Sequence, residues 1–328
     1  MKGLINKIKR FGRVIRATAI RRIIHITRKI RIPGFEGISL WEILFFFGYS
    51  IRKGLIGMRA SALSFHFFLA LIPFGLVLVV LSENLHFFDI DHDIIPILGS
   101  FIPENLYNNF VDNIHAFQHS SVNSLVSVGF LVALYFTSNG FNIMIKMFNQ
   151  SKMQYQKRSW IGARITSFLF VLVFVVGILL MFLMVIWIRK WIRELGEHSE
   201  FIADNQGWMF TLIAFFLVTT CLYFAIAMLY YLGPSKRKTF RFFSAGATLA
   251  TVLIILISEG YSLYITNFAQ YNELYGSLGT ILALMLWIYL ISFALLIGFE
   301  LNASIHGALH NRKLDNYQDM EDRYGNDY

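Results

Sequence analysis

Glu259 is the one formally charged side chain inside the long apolar stretches of this 328-residue chain, and Tyr261 and Tyr264 follow it closely. A carboxyl in hydrocarbon costs roughly 2.5–3.5 kcal/mol on insertion scales, so it is expected to face a bundle interior or an aqueous cavity. No Lys or Arg lies within the stretches to neutralise it. The chemistry open to such a group is proton exchange or contact with a polar headgroup. The other polar groups in or beside the stretches are His66 in the first, Asn139 and Asn142 in the second, and Glu300 and Asn302 at the end of the last. For each of these the plainer reading is a helix-to-helix hydrogen bond, which such side chains make at modest energy.

A second group lies between the first two stretches. Residues 83 to 121 hold Glu83, Asp89, Asp91, Asp93, Glu104 and Asp112 with His86, His92, His115 and His119, and no Lys or Arg. A divalent cation is conceivable there, but Asp89 to Asp93 match no ligand spacing, and a solvated acidic loop is the reading adopted. The single cysteine, Cys221, excludes an intramolecular disulfide or a Cys-based zinc cluster. The phosphate-binding pattern Gly-x-x-x-x-Gly-Lys-Ser/Thr is absent, so neither a metal nor a cofactor is assigned.

The elements that must position these residues are helices. The apolar stretches run over 60–82, 122–145, 165–188, 208–232, 242–267 and 277–299, and each meets the ~20 residues that a tilted helix needs to cross a bilayer. Lys and Arg number 14 before the first stretch, none in 83–121, five in 146–164, three in 189–207, four in 233–241, none in 268–276 and three after 299. The alternation places the rich segments, and both termini, on the cytoplasmic side. Composition agrees, being 56% hydrophobic and 16% aromatic with mean hydropathy +0.56. The net charge of +9 sits almost wholly on the inner face, where anionic lipid headgroups are the expected partner and nucleic acid is not.

Three regions follow. Residues 1–34 alternate Lys and Arg with apolar residues at helical spacing and read as a basic amphipathic helix at the membrane surface. Residues 35–310 form the six-span domain, entered through an apolar interfacial helix over 38–51, which is too short to span. Residues 311–328 are polar and are expected to be disordered.

Tyr264-Ile-Thr-Asn-Phe-Ala-Gln-Tyr-Asn-Glu-Leu-Tyr275-Gly276-Ser-Leu-Gly279, continuing through Trp287 and Tyr289 to Leu296-Ile-Gly298-Phe-Glu300-Leu-Asn302, resembles the C-terminal signature of the YihY/BrkB family of bacterial inner-membrane proteins. Ala60-Ser-Ala-Leu-Ser-Phe through Leu71-Ile-Pro73 is similar to that family's first-span motif. The likeness covers roughly residues 35 to 310 and implies an all-helical, multi-pass protein of the inner membrane. Members have carried the labels ribonuclease BN and serum-resistance factor. The nuclease label finds no His-x-His-x-Asp-His motif here, and no enzyme activity is expected. Some relatives are linked to movement of envelope lipids or lipopolysaccharide precursors.

The expectation that results is a six-span protein that transports or flips an anionic lipid or envelope lipid precursor. Its path would be lined by His66, Asn139, Asn142, Glu259, Tyr264, Tyr275, Glu300 and Asn302 and shaped by Gly276 and Gly279. The alternative is a non-catalytic scaffold that meets an envelope protein through loop 83–121; a membrane-bound hydrolase lacks a visible base, nucleophile or metal.

Overall fold

Residues 37–85, 111–112, 123–151, 159–234, 243–267 and 277–324 are described in a computed structural model of the chain. The basic segment 1–34, the His and Asp residues from 86 to 93 together with Glu104, His115 and His119, and Tyr275 and Gly276 lie outside the described residues.

Among the described residues the chain forms seven helices and no strand: α1 Leu40–Lys53, α2 Ile56–Leu85, α3 Asn123–Asn149, α4 Trp160–Glu197, α5 Glu200–Leu232, α6 Ala245–Asn267 and α7 Ser277–Tyr324. Their ends are set locally. Ser39 caps α1 by accepting from the Glu42 backbone N–H at 3.3 Å, with Glu42 in the first turn as a capping box requires. Ser159 and Ser244 do the same for α4 and α6, accepting from Gly162 and Ala247. Gly233 and Pro234 follow the end of α5, and Pro cannot continue a helix.

Among the described residues four helices are long and apolar enough to cross a membrane, namely Trp160–Glu197, Glu200–Leu232, Ala245–Tyr264 and Ile281–Leu309. A fifth is reached if α1 and the first part of α2, which meet at a 65° bend, are taken as one broken span. The bend falls at Gly54 and Leu55, where Leu55 adopts a left-handed φ of 49°. That conformation costs a branched residue roughly 1–2 kcal/mol.

Sequential helices pack in order, α2 on α3, α3 on α4, α4 on α5, α5 on α6 and α6 on α7, and α7 returns to α2 to close the ring. The main core lies between them, built from Leu63, Met144, Phe148, Phe170, Ile226, Tyr230, Leu296 and Phe299 among others. α1 lies against the later part of α7, where Ile38 and Ile43 meet Leu301, Ile305 and Ala308. Its opposite side leaves Leu44, Phe45 and Tyr49 exposed, as an interfacial helix should.

Outward the molecule is apolar. In the most apolar stretches of α4 and α5 only 22% and 17% of residues are buried, so Leu172, Leu180, Phe215 and Phe216 point away from the protein. Water would not tolerate that much contiguous hydrocarbon surface, whereas a bilayer requires it.

One expectation is corrected. α7 continues to Tyr324, so residues 311–324 prolong a helix and are not the disordered tail that their polarity suggested. Neither Gly nor Pro interrupts 308–324, and adding residues to an existing helix avoids the cost of nucleating a new one.

Candidate functional site: a buried charged knot at one end of the bundle

Glu300 is wholly buried on α7, and its two oxygens are held separately. Arg59, in the first turns of α2, donates from Nη1 to Oε1 at 2.5 Å. Ser151, two residues past the end of α3, donates from Oγ to Oε2 at 2.8 Å. Because Ser151 occupies the second oxygen, the arginine binds end-on and turns its remaining donors to the backbone. Nη1 also reaches the Gly54 carbonyl at 3.4 Å, and Nη2 donates to the Met147 carbonyl. Arg59 is itself 6% exposed, and its Nε has no partner among the described residues.

This knot ties together the α1–α2 elbow, α2, the end of α3 and α7. Removing two charges from water costs several kcal/mol per ion, a cost offset only where the remaining lone pairs and protons are also satisfied. Here the serine and two carbonyls supply that compensation, leaving Nε and one Nη2 hydrogen of Arg59 without a partner among the described residues.

Two residues along, Asn302 joins α6. Its Oδ1 accepts from the Gly246 backbone N–H at 2.8 Å and its Nδ2 donates to Ser244 Oγ at 2.9 Å, so the amide serves as the N-terminal cap of a neighbouring helix. The two backbones come close enough that a Cβ on Gly298 would stand 2.5 Å from the Gly246 carbonyl oxygen and 2.7 Å from both Ala250 Cβ and Tyr230 Oη. Glycine is required at that crossing. Into the space it leaves, Tyr230 sends its hydroxyl to donate to the Leu295 carbonyl at 2.6 Å. Phe148 stacks on Phe299 with ring centres 4.2 Å apart, and Tyr230 meets both edge-on. This aromatic trio belongs to the main core, with Phe299 next to Glu300 along α7.

Farther along the axis lies a cavity of about 260 Å³ between α2, α3, α4 and α7, half-open to one side and apolar on its walls. Phe67, Leu71, Phe141, Phe174, Ile178 and Ile291 line it. Leu71 is 12 residues beyond Arg59 and Ile291 nine before Glu300, which puts the cavity roughly 15 Å from the knot at 1.5 Å per residue.

The residues expected to line one path are therefore distributed. Glu300 and Asn302 meet at the charged knot, and Asn142, 6% exposed, is buried on α3 nine residues before Ser151. His66 and Asn139 are half-buried on α2 and α3, with the His66 ring edge-on to Phe65. Glu259 and Tyr264 do not join them: both are exposed on α6. The buried side of α6 is marked by Ala247, Ala250, Thr251 and Ile254, and Glu259 lies about 140° round the helix from Ile254. Gly279 opens the third residue of α7. Among the described residues no three His, Cys, Asp or Glu side chains converge to hold a metal.

Sequence reasoning overlooked Arg59, Ser151, Tyr230 and Gly246. Arg59 was counted only as one of fourteen inner-side cations, although its place one residue before an apolar stretch was a usable signal. Ser151 and Tyr230 carried none, since hydroxyls are common in such segments.

The sequence profile described as "Virulence factor BrkB" matches residues 51–322. The "Putative ribonuclease-like protein YfkH" of Bacillus subtilis is 28% identical over 261 residues, covering 79% of this chain and 92% of the relative. A "UPF0761 membrane protein" of Pseudoalteromonas atlantica is 27% identical over 285 residues, 84% of this chain and 90% of the relative. A relative of the same description from Pseudoalteromonas translucida reaches 42% over 78 residues, 24% of this chain and 26% of its own. No solved structure matches the chain.

Proposed function

The chain belongs to the BrkB family of integral membrane proteins, and on that premise we propose that it crosses the bacterial inner membrane six times, with both termini in the cytoplasm, and moves an anionic lipid or envelope lipid precursor. The six apolar stretches read from sequence fall within α2 to α7, and the alternation of Lys and Arg between them supports the orientation.

The observation that carries the transport reading is the apolar cavity between α2, α3, α4 and α7. It stands about 15 Å from the charged knot, near half the ~30 Å depth of hydrocarbon, and Leu71 at its edge is 42% exposed. An apolar recess of this kind excludes water and accepts hydrocarbon. An acyl chain entering sideways past Leu71 would be held there, while the Arg59–Glu300 knot and the aromatic trio close the inner end. Movement of a headgroup then requires that end to open. An enzymatic role is not indicated by family or site.

The test is lipid exchange in proteoliposomes, read by dithionite quenching of fluorescent anionic and zwitterionic lipids. Wild type is expected to give protein-dependent loss of the inner-leaflet signal. Leu71→Trp, which narrows the mouth without entering the core, is expected to slow it severalfold. If wild type moves no lipid of either class, transport is wrong and the scaffold reading, with loop 83–121 as the contact, takes its place.

A further inference from the structure

We infer that the seam between α3 and α4 is a binding site for the phosphate of an anionic membrane lipid, with Arg164 as the recognising cation. The inference does not depend on transport, since a lipid held permanently would satisfy the same charge.

The argument begins with missing counter-charge. From residue 113 to residue 193 the chain contains no Asp or Glu, yet this stretch holds Lys146, Lys152, Lys157, Arg158 and Arg164 near the α3–α4 connection. Four of these can be solvated on the connecting side or at a helix end. Arg164 is different: it lies four residues into α4 and is half-buried. Its guanidinium carbon stands 4.4 Å from the centre of the Tyr135 ring on α3 and 5.4 Å from that of Phe168 on its own helix. It makes no hydrogen bond or ion pair among the described residues.

Aromatic rings stabilise the faces of a guanidinium but offer its edges nothing. Five N–H donors lie in the guanidinium plane and need acceptors, of which an anionic oxygen is the strongest. Arg59 has Glu300 for that purpose. Arg189, placed over Phe210 at the far end of α4, shares its stretch of helix with Glu194 and Glu197. Arg164 has no carboxylate on α3 and none on α4 before Glu194, thirty residues away, so no acid of the seam reaches it and an acceptor from outside the chain fits the vacant edge. A phosphate presents paired oxygens that match the planar fork.

The surroundings identify the phosphate's carrier. Trp160, Ile161 and Ile165 are 74%, 64% and 64% exposed beside Arg164, forming an outward apolar surface that acyl chains would cover and that a free anion would leave bare. Trp at the entry to a span is also the expected marker of headgroup depth.

The experiment uses the full chain in nanodiscs and reads bound lipid by native mass spectrometry, with thermal unfolding alongside. Wild type is expected to prefer phosphatidylglycerol over phosphatidylcholine by roughly tenfold, the size of one charge-assisted contact. Arg164→Gln is expected to lose that preference, Arg164→Lys to keep part of it, and Arg189→Gln to keep it all. Should Arg164→Gln fail to fold, Phe168→Ala, which removes one of the two rings, is expected to weaken the preference in protein that remains monodisperse. An unchanged preference in Arg164→Gln, or no preference in wild type, overturns the proposal. So does stabilisation by millimolar inorganic phosphate in detergent equal to that by phosphatidylglycerol, because the site would then serve a free anion.

Discussion

Glu300 on α7 and Glu259 on α6 are identical side chains on adjacent helices, and the bundle uses them in opposite ways. Glu300 is wholly buried, paired with Arg59 and bonded by Ser151, at the end of the molecule where α2, α3, α6 and α7 converge. Glu259 is exposed on the outer part of α6 and has neither a hydrogen bond nor an ion pair among the described residues. The two carboxylates differ in depth as well as in rotation about the helix axis, and rotation toward the bundle is what brings donors within reach of Glu300. A buried acid is tolerated because donors from two other segments, Arg59 on α2 and Ser151 beyond α3, hold its two oxygens. An exposed one depends on what the membrane brings to it.

The strongest way to break this contrast is Arg59→Ala, which leaves Glu300 buried without its cation. The expected loss is about 3–5 kcal/mol, measured by unfolding in detergent micelles. The double variant Arg59→Met with Glu300→Leu sharpens the point, since removing both charges is expected to recover most of that loss. No recovery would mean that the knot stabilises through its serine and carbonyl contacts and not through charge. Next in size, Gly298→Ala forces a methyl against the Gly246 carbonyl, Ala250 and Tyr230 and is expected to cost roughly 1–3 kcal/mol in the same assay. Tyr230→Phe keeps the stacked rings and removes one hydrogen bond, for about 1 kcal/mol. Smallest of all, Glu259→Gln is expected to leave the unfolding midpoint unchanged. A shift comparable to that of Arg59→Ala would show that Glu259 has a buried partner and would end the contrast.

Much of the fold was legible in advance. Each of α2 to α7 contains one of the apolar stretches, apart from one residue at the start of the second and three at the start of the fifth, and α1 takes in 40–51 of the expected interfacial helix. Hydrocarbon offers backbone N–H and C=O groups no partner, so a long apolar run has little choice but to become a helix. The candidate site was legible only in fragments. Glu300, Asn302 and Gly298 stood within a motif, but the Arg59–Glu300 pair joins residues 241 apart, and nothing local marks Tyr230 as the hydroxyl that fits over Gly298.

What the sequence by itself determined is therefore the class of protein, the helices and the alternation of basic residues between them, all properties that accumulate over about twenty residues. What only the tertiary structure decided is which side of each helix faces inward. A helix that is apolar all round has almost no amphipathic signal to fix its rotation. That angle is set by ridge packing, close glycine contacts and a few buried hydrogen bonds between distant segments, and it turns Glu300 toward its donors and Glu259 away from the bundle.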